Sequence, residues 1–458
     1  MRSLKIRFIT AAIVLLSSLQ AQASIKTMFH PYDPTMNEIA EYIMKAESTI
    51  DLALYNIDAS KSNPVIAAFG TKEIQERLKS GDLIVRILFE GYDSKENNQK
   101  KMAQLEALGL DAKYLGVGRK MHHKFATIDT NSRKPVLITG SANWSMSSQR
   151  NYNENIIYLE DKPGITSAFQ KQFNLLWSQS KEFGNKAKED ERQQIGTLPV
   201  IKVEEGFEVH FNTENLKVTP RGFRKDSSKK GFVLTREVVA LINNAESRIE
   251  IATTRLKLRP IYEALKAAAA RGVKIDLVVT MGEYAPSYYR NRSKIKKCES
   301  IFDEKCSTSQ NFSIFLERED YVGKENVTVR IKHFDIRKDS YLQKQMHSKY
   351  MIVDNKTLIT GSFNWSVSAE YNHFENIITI SGEHYPKVLE DFNQDFDRLW
   401  NLNRKSFEPF VDELEKKSER SERIKCGYEP MTLTFTEIDH MLSSAKRVGG
   451  TSLLKLCQ

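Results

Sequence analysis

The chain of 458 residues reads as an α/β protein built from two pseudo-symmetric sandwich repeats that share one central active-site cleft. Three observations predict this. Short apolar strands alternate with amphipathic helices, as a largely parallel or mixed sheet requires. The same order of elements runs through the chain twice, with changing spacing. The residues best suited to chemistry stand at matching places in both copies.

At the N-terminus, Arg2, Lys5 and Arg7 precede an apolar run from Phe8 to Leu16, and Ala21-Gln22-Ala23 follows. A charged region, a short apolar core and an A-x-A site predict a secretory signal peptide over residues 1–23. The run is short for a bilayer span. Position 24 is serine, so no lipidated cysteine is expected after cleavage. The mature protein is expected outside the cytoplasm, either periplasmic or secreted.

The first repeat is assigned to residues 24–185 and the second to 206–405. Each opens on a short strand that ends at an aromatic residue and a turn, Met28-Phe29-His30-Pro31 and Val209-His210-Phe211-Asn212. A helix then begins at Thr35 or Thr235. Thr35-x-x-Glu38 predicts a capping box. Ile39, Ile43 and Met44 recur at helical spacing, as do Val238, Val239 and Ile242. Both helices run into Ala-Glu-Ser, at 46–48 and 245–247, and then into an alternating strand carrying Ile50, Leu52 and Leu54 or Ile249 and Ile251. A second helix and an apolar strand follow, Leu83–Phe89 and Val273–Thr280. Each repeat closes on Phe-x-x-Leu-Trp, at Phe173–Trp177 and Phe396–Trp400, which suits the core face of a terminal helix. The polar residues 186–205 predict a linker. Residues 406–458 match neither repeat and form a tail without a functional signature.

The formal charge of +9 favours anionic partners, whether nucleic acid, phospholipid headgroups or an acidic surface. Four cysteines, Cys298, Cys306, Cys426 and Cys457, suit an oxidising compartment and allow two disulfides in three connectivities. Nearest-neighbour pairing joins Cys298 to Cys306 and Cys426 to Cys457. There is no C-x-x-C pair to suggest zinc or redox chemistry, and neither a cofactor nor a metal is expected. Between Tyr284 and Lys297, aromatic and basic residues interleave, among them Tyr288, Tyr289, Arg290 and Arg292. That composition suits a nucleic-acid strand or an anionic lipid surface, and equally a solvated loop.

The most specific signal is His122-x-Lys124-x₄-Asp129, repeated as His347-x-Lys349-x₄-Asp354. Gly140-Ser141-Ala142-Asn143-Trp144-Ser145 follows the first copy and Gly361-Ser362-Phe363-Asn364-Trp365-Ser366 the second. Further on, Glu154-Asn155-Ile156-Ile157 matches Glu375-Asn376-Ile377-Ile378. One His-x-Lys has little weight; two copies with matching followers form a constellation. The chemistry gives each residue type a reason. Histidine is a neutral nucleophile or a charged proton donor near neutral pH, so two of them can divide those roles around one phosphorus. Lys124 and Lys349 supply positive charge to phosphate oxygens, Asn143 and Asn364 neutral donors, and Ser141 and Ser362 hydroxyls. Glu154 and Glu375 are placed to accept from the far ring nitrogen of each histidine. The tryptophans are read as packing residues. His30, His210, His333, His373, His384 and His440 are read as satisfied structural groups. His123 falls outside the motif because Phe125 follows it two later. The loop between Asp129 and Gly140 is longer than that between Asp354 and Gly361, which predicts a longer hairpin containing Pro135 and leaves open whether Asn143 sits as Asn364 does.

These motifs resemble the phospholipase D superfamily, and with their flanks they cover nearly all of residues 24–405. The Gly-Ser-Phe-Asn-Trp-Ser form is most similar to the branch of cardiolipin hydrolases and small secreted bacterial endonucleases. The resemblance implies two half-sites meeting across a pseudo-twofold axis and no required metal. One histidine attacks phosphorus, the other protonates the leaving oxygen, and the usual order makes His122 the nucleophile and His347 the general acid. Asp129 and Asp354 complete the motif and stand among the candidate catalytic residues, although the resemblance implies a structural or charge-balancing part for them. The expected activity is hydrolysis of phospholipid phosphodiesters through a covalent phosphohistidine. A metal-independent endonuclease on DNA or RNA is the alternative, and transfer to an alcohol is compatible with the same intermediate. A silent binder of anionic polymers fits less well, because both motifs are complete. The expected partner is an anionic phosphodiester, with contact to a membrane surface compatible and no obligate protein partner implied.

Overall fold

The computed structural model describes residues 24–90, 95–115, 119–183, 204–220, 222–280, 318–333, 345–416 and 430–447. The predicted signal peptide, most of the linker, all four cysteines and the stretch Tyr284–Lys297 lie outside the described residues.

Among the described residues two eight-stranded mixed sheets form the framework, and strand for strand they have one order. In the first half it is Ile25–His30, Glu154–Glu160, Val136–Gly140, Lys124–Ile128, Thr49–Leu54, Ile84–Phe89, Asp111–Leu115 and Ser180–Glu182. In the second it is Phe207–Phe211, Asn376–Ser381, Thr357–Gly361, Lys349–Val353, Arg248–Thr253, Lys274–Thr280, Val327–His333 and Met431–Thr434. The strand after the first helix pairs in parallel with the one after the second helix, and antiparallel with the motif strand. The α/β fold of two repeats is therefore as the sequence predicts. The eighth strand differs in origin. In the first half it follows the terminal helix directly, whereas in the second it comes from beyond Trp400, and the helices Phe407–Lys416 and Phe435–Arg447 accompany it with Phe407, Phe410, Leu414 and Ile438 buried.

Each half keeps its own core under the outer helices, and a third core lies between the halves. The terminal helices Pro163–Ser178 and Pro386–Trp400 supply much of it. Phe169 meets Phe211 edge-on with ring centroids 5.1 Å apart, and Phe392 meets Phe29 at 5.0 Å. Phe125, Phe173, Tyr350 and Phe396 complete the contact, all essentially inaccessible. Burial of each such ring contributes on the order of 2 kcal/mol, so the halves are held together as one body. The Phe-x-x-Leu-Trp ends are thus interface residues as well as markers of the repeat.

The helix starts correct one expectation. Thr35 does not form a capping box: its helix has no side-chain cap at the residue before it. Its hydroxyl is 2.5 Å from His30 Nε2, and Met36 N–H donates to Gln149 Oε1 at 2.8 Å. In the second half the equivalent of Gln149 is Glu370, which accepts from Leu234 N–H, Thr235 N–H and the Thr235 hydroxyl. A side chain from just beyond the motif therefore caps the first helix of each repeat. Among the described residues no helix is long and apolar enough to cross a membrane.

Candidate active site

The two motif histidines are positioned by the opposite half. His122 N–H donates to Phe374 O at 3.2 Å, where the short strand Lys120–Met121 pairs with His373–Phe374. His347 N–H donates to Asn153 O at 2.9 Å. Each imidazole thereby reaches a carboxylate that follows the other motif. His122 Nδ1 lies 2.9 Å from Glu375 Oε2, and His347 Nδ1 bonds Glu154 Oε1. The predicted histidine–glutamate pairs exist, and they run crosswise between the halves.

Burial sets the charges. It pushes His122 well below the usual histidine range, against the pull of Glu375 and with Lys124 also opposing protonation. Burial likewise lowers His347 to about 4, helped by Lys349 and opposed by Glu154. Burial alone would raise both glutamates, but His347 and His30 hold Glu154 at about 2, and His122 and His373 keep Glu375 below the usual carboxylate range. The resting site thus holds two neutral imidazoles and two carboxylates. Because a carboxylate only accepts, each Nδ1 carries the ring proton and each Nε2 keeps its lone pair.

The lysines flank this pair. Lys124 Nζ donates to His122 O at 2.6 Å and lies 5.1 Å from the Tyr55 ring centre; Lys349 Nζ donates to His347 O and, at 3.2 Å, to Thr254 Oγ1. Burial lowers Lys124 to about 8 and takes Lys349 well below its usual range. An anion entering between them favours the charged ammonium on both. Asn143 and Asn364 each leave Oδ1 buried without a hydrogen-bond partner, so the longer first hairpin has not changed the state of Asn143.

Other motif residues build the site without facing it. Ser141 Oγ accepts from Asn155 N–H at 2.9 Å, and Ser362 Oγ from Asn376 N–H at 3.1 Å. These hydroxyls lock the loop to the strand that carries the glutamate, a supporting part in the site. The preceding glycines allow that approach, because a Cβ at Gly140 or Gly361 would stand 2.3 Å from the Asn155 or Asn376 carbonyl oxygen. Asp129 and Asp354, counted among the candidate catalytic residues, take the structural part that the resemblance implies. Asp129 accepts from Glu47, Ser48 and Thr49 N–H at 2.6–2.9 Å, and Asp354 from Glu246, Ser247 and Arg248 N–H at 2.8–2.9 Å. Both sit at the far end of the motif strand, roughly 16 Å from the lysine by strand rise, and explain the repeated Ala-Glu-Ser. They anchor the fold; they do not touch the reacting atoms. His123 points the other way from His122 and bonds Asn376 Oδ1 at 3.0 Å.

Two histidines read as structural prove to adjoin the site. His30 Nδ1 is 3.4 Å from the second oxygen of Glu154, and His373 Nδ1 is 3.5 Å from Glu375 Oε1 with its ring centre 5.5 Å from that of His122. Each carboxylate therefore lies between two imidazoles. The His30 position was visible only as part of a repeated strand-end pattern, and His373 only as the residue two before Glu375. His122, His373 and Glu375 offer donor atoms within 4.8 Å of one another, the one such group among the described residues. In the observed geometry Glu375 bonds His122 through Oε2, while its Oε1 faces His373 Nδ1 at 3.5 Å without a hydrogen bond.

Known proteins resemble the chain in sequence and in fold. A family signature described as "Cardiolipin synthase, PLD-like domain" matches residues 39–177 and 238–400. The mitochondrial cardiolipin hydrolase of Chlamydomonas reinhardtii is 40% identical over 57 residues, 12% of this chain and 24% of that relative's length. That of Danio rerio is 24% identical over 152 residues, 33% of this chain and 60% of the relative. A phospholipase D of Rickettsia prowazekii is 40% identical over 62 residues, 13% and 29% of the two chains. Among solved structures, the phosphatidylserine synthase of Haemophilus influenzae superposes with a TM-score of 0.56 at 12% identity, covering 82% of this chain and 86% of its own. With a signature spanning both repeats and both His-x-Lys motifs inside it, the chain belongs to the phospholipase D-like family of phosphodiesterases.

Proposed function

We propose that the protein is an exported hydrolase that cleaves phospholipid phosphodiesters through a covalent phosphohistidine. One observation carries this reading: two neutral imidazoles in one site, each with Nδ1 held by the other half's carboxylate and Nε2 left with its lone pair. His122 Nε2 attacks phosphorus while the Glu375 carboxylate, which keeps its own charge, stabilises the positive charge that develops on the ring. The leaving oxygen takes a proton from Nε2 of the protonated form of His347, stabilised by Glu154. The two ammonium groups offset the charge on the non-bridging oxygens, and the side-chain amides of Asn143 and Asn364 donate hydrogen bonds to them. Water, deprotonated by His347, then attacks the phosphohistidine on the opposite side and regenerates His122. Names of the cardiolipin hydrolase relatives support phospholipid as substrate. An endonuclease remains the second reading, since the positive balance of the chain suits either polyanion.

Incubating the mature protein in chelator with mixed phospholipid vesicles and, separately, with plasmid DNA tests the assignment. Phospholipid headgroups are expected to be released in chelator, with plasmid intact. Cut plasmid and intact lipid would replace the substrate, and activity that needs added magnesium would remove the metal-free chemistry.

The charges also predict a pH profile. The productive free enzyme has one histidine protonated and one neutral. Burial depresses both, so the proton on the acid is lost as pH rises through a value near 4 for His347. In kcat/KM the falling alkaline limb is therefore expected below pH 6.5. A bound phosphodiester adds a negative charge that raises the same group, so the limb in kcat moves to higher pH. Above about 8 deprotonation of Lys124 lowers both. Profiles flat from pH 4 to pH 8 would contradict this.

A further inference from the structure

The second half carries an insertion where the first has only a tight turn. Residues 31–34 join the first strand to the first helix in one repeat, and residues 212–232 do so in the other. Most of the extra chain is the hairpin of strands Leu216–Thr219 and Gly222–Lys225, which pairs with neither large sheet.

The hairpin sits on the rim beside His122. Its Phe223 packs inward on Phe374 with ring centres 5.0 Å apart, and Phe374 O is the acceptor for His122 N–H. Arg119, from the first half, ties it down by donating to Phe223 O at 2.8 Å and Tyr371 O at 3.0 Å. Leu216 and Phe223 are buried, whereas Lys217, Arg224, Lys225 and Lys230 are exposed. Lys217 stands directly opposite Arg224 across the hairpin. Like charges directly opposed weaken a two-stranded ribbon, and they lose that cost against an anionic surface. Val218, one residue along, is 48% exposed toward the tip. Val218 pairs with Phe223 and so lies on the ribbon face opposite the Lys217–Arg224 pair; an exposed apolar side chain on a cationic ribbon suits the headgroup region of a bilayer. It offers no stacking face to a base, and the described residues of the hairpin expose no aromatic ring.

We infer that this hairpin docks the protein on an anionic phospholipid surface and so brings the His122 side of the site to the lipid, an inference that rests on phospholipid being the substrate. The test is co-sedimentation of the mature protein with vesicles of phosphatidylcholine alone, and of equal parts phosphatidylcholine and phosphatidylglycerol. A single-stranded oligonucleotide is titrated in parallel, and turnover of the soluble ester bis(p-nitrophenyl) phosphate is the control for folding and chemistry. Wild type is expected to bind the anionic vesicles in a salt-sensitive manner. Lys217→Glu/Arg224→Glu is expected to lower that binding at least about tenfold, Val218→Asp to lower it as well, and both to leave turnover of the soluble ester unchanged. Unaltered vesicle binding in these variants overturns the inference. So does a loss confined to the oligonucleotide, which would make the hairpin a nucleic-acid contact. Hairpin-dependent vesicle binding without lipid hydrolysis would instead uphold the docking surface and remove the substrate assignment.

Discussion

Replacing His122 with alanine is expected to abolish turnover even on a substrate whose leaving group needs no proton. His347→Ala is expected to fail differently. With a p-nitrophenyl phosphodiester the phosphohistidine can form without a general acid, because nitrophenolate departs unaided. Water then lacks its base, so the variant should release close to one equivalent of nitrophenol and stall. With a natural alcohol leaving group both variants should fall by on the order of 10⁴ or more in kcat, and the double variant should be no worse than either, since the pair acts as one unit. Stopped-flow burst amplitudes check this. Equal, linear residual rates in the two variants would show that the histidines do not have separate duties.

The crosswise carboxylates give the second large effect. Glu375→Gln keeps the shape but removes the charge that fixes the His122 tautomer and stabilises its cation. It is expected to cost on the order of 10²–10⁴ in kcat/KM and to reproduce the phenotype of His122→Ala, with no burst. Glu154→Gln is expected to reproduce that of His347→Ala, with the burst kept and the later turnovers lost. The pairing is the distinctive element, because Glu154 follows the His122 motif in sequence yet bonds His347 in space. The opposite pattern, a burst in Glu375→Gln and none in Glu154→Gln, would mean that the roles of the two histidines are exchanged.

The parts of this site that the sequence exposed are those repeated as short local motifs. His122, Lys124, His347 and Lys349, with Asn143 and Asn364, were legible because each recurs with its followers. The strand order was legible through alternation of helix and strand. The crosswise bond from His122 to Glu375 was not, since it spans 253 positions and proximity along the chain favours the wrong partner. Ser141, Ser362, Asp129 and Asp354 are held by backbone amides, and only the fold shows which: those of Asn155 and Asn376 for the serines, those of 47–49 and 246–248 for the aspartates. Thr35 had the spacing of a capping box, and lost that part because Gln149 supplies the cap while the Thr35 hydroxyl meets His30. His30 and His373 carried no motif of their own, and their nearness to the carboxylates is a product of strand register. The eighth strand of the second sheet, Met431–Thr434, was equally hidden, because its partner Val327–His333 lies about a hundred positions upstream and its counterpart in the first sheet, Ser180–Glu182, directly follows the terminal helix instead.

Rapid alkaline quenching during turnover, followed by peptide mapping, reads the intermediate itself. Phosphohistidine is acid-labile and survives base, so a substrate labelled on its retained phosphoryl group should leave that label on the protein. The label is expected on the peptide containing His122, at close to one equivalent in His347→Ala and at a lower steady-state level in wild type. Full turnover with no label on either His122 or His347 would contradict a covalent phosphohistidine and leave direct attack by water in its place.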